Sequence, residues 1–410
     1  MQRRQFLQNT LMGSSLLAHK DLFGQNQRST SDLPNWQLPD LHKAISDPVL
    51  IRSVELLKTQ GQLMLVVTAQ DGTRGITQCN ERMQNLSSLL KGLIIEHFTG
   101  KDARDLPMLV DNAYRLNSNY KYAGMPLWNC IGSVEIAVWD LLGKQVKKPV
   151  YQLLGQTVRT NYDVYISDFD RGTDTADVVV DRLAQKLAAT GAKGVKIKVG
   201  GRMQNTPEDE RRTRAFVPLV RKKLGDSITI YADANGSYTP EEGIRIGHML
   251  EDNGVAIFEE PCNFEDEDGI RRVNKAITKL VMAGGEQDTS LYRFERLART
   301  DVYDLLQADV YYNGGILRGL QVAEIARSFG KNIAPHTPKS DPLIAPFWHL
   351  AAVCPNLYGL QEFVYELNGK VPSWYEPAIR VQNGVMQIPS TPGLGINYDD
   401  QIWKSAERVG

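Results

Sequence analysis

The sequence predicts an α/β protein: a (β/α)8 barrel with an α+β capping domain that the N-terminal region forms and the C-terminal segment completes. Three observations carry this reading. From about residue 156 onward, β-compatible runs that each end in a polar residue alternate with helical stretches. Eight candidate strand ends can be placed, at Asp168, Lys198, Asp233, Glu259, Glu286, Asp309, His336 and Glu362, and eight βα units close a barrel. From Asp233 onward the intervals between them are 26, 27, 23, 27 and 26 residues, each the length of one strand, one helix and two loops.

The 410 residues leave room for a barrel of roughly 250 residues and a second lobe. Residues 1–40 are set apart as a signal and linker. Arg3-Arg4-Gln5-Phe6-Leu7 precedes a small-residue apolar stretch at 11–18, which resembles a twin-arginine export signal. That stretch is too short to span a bilayer, and no run of ~20 apolar residues follows, so the mature chain is expected in the periplasm and off the membrane. If the arginine pair is only part of a polar tail, the cytoplasm is the alternative.

Residues 41–155 are expected to form the capping lobe. Apolar runs at 51–57 and 63–68 flank Lys58-Thr59-Gln60-Gly61 and are followed by Asp71-Gly72, the pattern of a meander. Ile131, Val134, Ala137, Val138, Leu141 and Leu142 then recur at helical spacing. Residues 156–365 carry the barrel, with helices expected over 174–190 and 240–253. Residues 366–410 are expected to return to the capping lobe.

Composition narrows the function. With 47 basic and 48 acidic side chains and no basic stripe, the chain lacks the electrostatic footprint of a nucleic-acid binder. Cys79, Cys130, Cys262 and Cys354 stand singly, so neither a zinc site nor a disulfide framework is indicated, and buried thiols are expected.

Side chains at the carboxyl ends of parallel barrel strands converge on one mouth, so residues distant in sequence become neighbours. Asp233, Glu259 and Glu286 end three consecutive predicted strands. Close carboxylates repel, and an all-oxygen set completed by water suits Mg2+, with Mn2+ able to substitute. Lys196 and Lys198 lie two apart on one strand and share a face, where crowding beside a cation favours a neutral amine base. His336 follows Asp309 by one βα period, and an aspartate beside a histidine fixes its tautomer and raises its basicity.

The joint pattern Lys196-x-Lys198, Asp233-x-Asn235, Glu259-Glu260-Pro261, Gly285-Glu286, Asp309 with Gly314-Gly315, and His336 resembles the enolase superfamily, mandelate racemase subgroup, over roughly residues 51–398. Residues 133–141 and 149–155 look like the family's helix joining cap to a TIM-type barrel. The resemblance implies that Asp233, Glu259 and Glu286 are the metal ligands and Lys198 and His336 the two bases on opposite faces. Asp309 would partner His336, and Lys196 would tune Lys198 and touch the substrate carboxylate. Asn235 is expected at the substrate, and Glu362 is similar to an acid that hydrogen-bonds the substrate carboxylate in some relatives. One departure is visible: only residues 58–62 join the first two capping strands, where the family often has a longer mobile loop.

The expected partner is a small carboxylic acid, a sugar acid foremost. In this reading a base takes the proton next to the carboxylate and an enediolate forms, which the cation stabilises. Delivery of a proton from His336 to a departing β-hydroxyl gives a 2-keto-3-deoxy acid, the outcome ranked first. Racemisation or epimerisation and lactonising cycloisomerisation use the same groups. A catalytically silent binding barrel predicts loss of a ligand or base, and none is missing. Arg74, Asn80-Glu81-Arg82 and Tyr122 could meet substrate hydroxyls or lie on the surface. Family members assemble as homo-oligomers, so one is expected here, of unspecified symmetry.

Overall fold

The computed structural model describes residues 33–365 and 373–409. Of the signal and linker expected over 1–40, residues 1–32 lie outside the described residues, but the end of the linker is part of the fold. Trp36 donates from its indole to Leu154 O at 3.0 Å, and Asp40 caps the helix Leu41–Ala44.

Strands β1 (Ile51–Thr59), β2 (Gln62–Ala69) and β3 (Arg74–Gln78) form the antiparallel meander. Gln60 and Gly61 both take positive φ, 51° and 72°, the two-residue hairpin turn whose twist matches its strands. The sheet lies on the helix Met125–Gln145, which is buried almost throughout its length. A Cβ on Gly75 would stand 2.1 Å from Ala137 O, so no other residue lets β3 approach this helix so closely. Asp140 ties the lobe together: its carboxylate accepts from Ile76 N (2.8 Å), Leu394 N (2.7 Å) and Lys144 Nζ (2.6 Å).

Eight parallel strands follow: β4 (Asn161–Ser167), β5 (Gly194–Lys198), β6 (Thr229–Asp233), β7 (Ile257–Glu259), β8 (Val281–Gly284), β9 (Leu305–Leu306), β10 (Asn332–Ile333) and β11 (Gln361–Phe363). They pair in chain order, β11 returns to β4, and a bridge from Ile333 to Leu357 closes the ring. Tyr165, Tyr231, Ile257, Ala283, Leu305 and Ala334, from six of these segments, pack against one another as one apolar cluster. The helices Ala176–Thr190 and Pro240–Asp252 lie where the periodicity predicts, and Thr239 with Glu242 makes a reciprocal cap on the second. All four cysteines are buried free thiols. Among the described residues, no helix is long and apolar enough to cross a membrane.

Two features differ from expectation. Glu286, Asp309 and His336 sit past the ends of β8, β9 and β10, because the chain leaves the ladder early and Tyr311 N and Tyr312 N bond the Asp309 carboxylate instead. The C-terminal segment is shared between the lobes. Glu407–Arg408 adds to β1 and Thr59 Oγ1 donates to Ile402 O at 2.8 Å, but the hairpin Val381–Gln382 with Val385–Gln387 pairs antiparallel to the start of β4. The cause is an open edge: β4 meets β5 only from Tyr165 and β11 only from Val164, leaving Asn161 to Asp163 unpaired.

Two predictions follow from these contacts. Capping helix and barrel touch at Gly132, where a Cβ would stand 2.7 Å from Gly315 N and 2.8 Å from Gly314 C. Gly132→Ala should therefore destabilise the fold by about 1–3 kcal/mol, seen as a lowered thermal midpoint. His349 is fully buried and accepts from Tyr151 N at 3.1 Å, and burial pushes its imidazole down from 6.5 to about 4. Its neutral form thus supports the fold above 6.5. That support is lost as pH falls through 4, by roughly 3 kcal/mol. A denaturation series should show this acid loss, and His349→Asn, which keeps an acceptor for Tyr151 N, should flatten it.

Candidate active site

The pleat and the register of the barrel place the charged side chains. Lys198 pairs with Asp233, and Asp233 with Glu259, in one row across β5, β6 and β7. Lys196, two residues before Lys198, projects to the same side. All four side chains are almost completely buried. Around the ring Lys198 stands on one side of the acids and His336 on the other.

Each ammonium is claimed by carboxylates. Lys196 Nζ lies 3.1 Å from both oxygens of Glu259, 2.9 Å from Glu362 Oε1 and 4.0 Å from Asp233 Oδ2. Lys198 Nζ is hydrogen-bonded to Asp233 Oδ2 and 3.4 Å from Asn235 Oδ1. Burial would strip the proton from Lys196, but Glu259 and Glu362 outweigh it and hold the ammonium well above the ordinary lysine range. The expectation that ammonium crowding governs this pair is corrected for Lys196: four nearby carboxylate oxygens matter more than one nearby cation.

His336 is gripped from both ends, Nδ1 by Asp309 Oδ2 at 2.9 Å and Nε2 by Glu286 Oε2 at 3.2 Å. Burial works against its charge, but Glu286 and Asp309 raise the imidazole to about 9. Asp309 is in turn fixed by Tyr311 N (2.8 Å) and Tyr312 N (3.0 Å). Glu362 accepts from Thr337 N at 3.1 Å and faces Lys196, so it is part of the charge lattice and not a rim salt bridge. Despite burial, Lys196 and then His336 hold its carboxyl below the usual range.

Among the described residues, no three His, Cys, Asp or Glu side chains close round one point as a ready metal cage. The single focus expected of Asp233, Glu259 and Glu286 is divided: the first two share Lys196, while Glu286 turns to His336. Buried carboxylates take the nearest cation, and here the lysines and the imidazole supply it. The donor set nonetheless fits a hard divalent ion, being all oxygen and contributed by successive strands. Burial, then the charge of Asp233, pushes Glu259 up to about 7. Beside it Glu260 is buried, its Oε1 without a hydrogen-bond partner among the described residues, and its carboxyl is pushed well up by burial and then by Glu286.

Some placements were not legible in the sequence. Arg171, in the loop after β4, donates to Val199 O (3.0 Å), Gly200 O (3.1 Å) and Asn235 Oδ1, and so fixes Asn235 against Lys198. No periodic signal marks it. Tyr312 sets its ring 6.2 Å from that of His336 at a tilt of 39°, and Arg82 reaches over from the capping lobe to donate to its hydroxyl at 3.0 Å. Arg74 instead lies over Trp403, and Tyr122 is exposed. Asp168 binds Arg182 at 3.2 Å and Lys186 at 3.6 Å, a structural ion cluster.

Fold and site together define a capped barrel enzyme with a lysine and an aspartate-paired histidine flanking a row of buried acids. Comparison with known proteins places it further. Residues 42–155 match the mandelate racemase / muconate lactonizing enzyme N-terminal domain, and residues 179–402 the enolase C-terminal domain-like family. The chain belongs to the mandelate racemase / muconate lactonizing enzyme family of the enolase superfamily. It is 27% identical over 330 residues to an arabinonate dehydratase of Saccharolobus solfataricus, covering 80% of this chain and 84% of that one. It is 27% identical over 356 residues to a D-galactarolactone cycloisomerase of Agrobacterium fabrum, covering 83% and 89%. A crystal structure of a mandelate racemase/muconate lactonizing protein from Paracoccus denitrificans, complexed with magnesium, superposes with a TM-score of 0.80 at 26% identity, covering 88% and 99%.

The Asp309–His336 contact yields a direct test. Asp309→Asn keeps an acceptor for Tyr311 N and Tyr312 N but removes the charge. In metal-free protein the His336 imidazole should then fall from about 9 toward 6.5 by a unit or more, which an NMR pH titration reads. An unchanged titration would show that Glu286 alone sets it.

Proposed function

We propose that the protein is a Mg2+-dependent sugar-acid dehydratase that removes the proton next to the carboxylate and releases water to give a 2-keto-3-deoxy acid. The observation that carries this reading is the opposed pair: an amine at Lys198 and an imidazole at His336 on either side of Asp233, Glu259 and Glu286. The dehydratase names of several relatives favour loss of water as the outcome.

Asp233, Glu259 and Glu286 would hold the ion, which supplies, when bound, the positive charge that makes a carbon acid this weak removable. Lys196 is buried and permanently charged, so it binds and orients the substrate carboxylate. Glu362, tied to Lys196 and to Thr337 N, keeps that ammonium aimed. Lys198 takes the α-proton as a neutral amine, after its ammonium has given a proton to solvent and left Asp233, and Asn235, braced by Arg171, steers it. His336, held protonated by Asp309, gives its proton to the leaving hydroxyl. The burial of these groups keeps bulk water from the carbanionic carbon.

The cycloisomerase relative supports a second reading, in which the same proton abstraction ends in isomerisation. Export to the periplasm by the Arg3-Arg4 signal, and assembly as a homo-oligomer, are part of the same proposal.

Full-length protein screened with Mg2+ against sugar acids should form a 2-keto acid from at least one. EDTA should abolish turnover, and Mg2+ or Mn2+ should restore it. Lys198→Ala and His336→Asn should each cost about 100-fold or more in kcat, with solvent deuterium exchange into substrate surviving in one of them. Retention of full activity by either variant would contradict the assigned roles.

A further inference from the structure

A second site of a different kind lies between the capping lobe and the barrel helices, away from the acids of the mouth. Here a cavity of ≈ 590 Å³ opens, a size typical of small-molecule sites. Its walls include Trp36, Tyr114, Trp128, Leu291, Tyr292 and Leu317. Tyr114 stacks on Trp128 at 4.9 Å, and Tyr292 is 61% exposed although it lines the cleft.

Its wall also carries Arg318, and Asp111 and Arg115, which pair with each other. Arg318 lies with its guanidinium 3.6 Å over the Trp128 ring. Its Nε donates to Asn313 O at 2.6 Å and its Nη2 to Thr289 O, which leaves Nη1 without a partner among the described residues. No carboxylate among them pairs with it. Asp111 acts only from a distance and is tied to Arg115 at 3.0 Å on the rim. Burial pushes the guanidinium down to about 9.

Arg318 also stands in the first turn of the helix Ile316–Ser328, the end where the helix dipole disfavours a cation. The amides of Ile316 and Leu317 at that end are already taken by Glu135, at 3.0 and 2.9 Å. Arg318 is half-buried and has no carboxylate partner among the described residues, an arrangement that costs free energy even with Glu135 on the helix end beside it. Stacking on Trp128 offsets part of that cost. An anion in the cleft would offset the rest.

We propose that this cleft is a second ligand site, which takes a small monocarboxylate with a flat apolar body. The carboxylate meets the free amino end of Arg318, and the body lies among Trp36, Tyr114 and Tyr292. One guanidinium matches one negative charge, and Asp111 at the rim repels a second. The shape of the body follows from the flat rings that form the walls.

Benzoate, titrated calorimetrically into the full-length protein, tests this against benzyl alcohol, which has the same ring without the charge. Lys196→Met removes the ammonium at the barrel mouth and so separates the two sites. Benzoate should bind the unaltered protein and Lys196→Met alike, and Arg318→Met should weaken it about tenfold or more. Benzyl alcohol should bind as poorly as benzoate does to Arg318→Met. Ala123→Trp, which fills the exposed wall of the cleft without touching the guanidinium, should weaken benzoate binding while the thermal midpoint stays put. The proposal falls if benzoate gives no heat, if its affinity in Arg318→Met or in Ala123→Trp equals that of the unaltered protein, or if Lys196→Met alone abolishes binding.

Discussion

The structure turns on how buried charge is balanced at one end of the barrel. Acids from successive strands are brought together where water is scarce, and each would be unstable there alone. The chain answers with cations on the same ring: Lys196 between Glu259 and Glu362, Lys198 on Asp233, and His336 between Glu286 and Asp309. The balance is incomplete, as Glu259 and Glu260 show by holding their protons more tightly than ordinary carboxyls. Lys196, Lys198 and His336, the cations of that balance, are also the groups to which the proposed chemistry assigns a role.

Much of this was legible in the sequence because it is periodic. One βα interval fixes the ring position of every residue from Asp233 to Glu362, and the two-residue pleat fixes that Lys196 and Lys198 share a side. What periodicity could not supply is which acid takes which cation, since that depends on side-chain reach. Glu286 sits past the end of β8 and meets the imidazole, whereas Asp233 and Glu259 end their strands and meet the lysines.

Contacts between loops were silent for the same reason. Arg171 and Arg82 belong to no repeating pattern, yet one steadies Asn235 and the other reaches Tyr312 beside His336. The hairpin 381–387 was unreadable because its partner is an edge of β4 that becomes open only when the barrel closes. The short Gln60-Gly61 turn leaves the rim to Gln62, Gln78, Glu81 and Lys339, which line a small cavity of ≈ 250 Å³ beside the His336 loop.

The contact of Gly132 with Gly314 and Gly315 has a mechanical side. Backbone meets backbone with no side chain between them, and Glu135, one turn along the same helix, clasps the amides of Ile316 and Leu317. Cap and barrel are therefore welded at the turn that follows Asp309 and cannot hinge as rigid bodies about that seam. Whatever breathing admits a substrate has to come from segments above the seam, such as the Arg82 loop and residues 337–341, while the aspartate behind the imidazole stays anchored through every cycle.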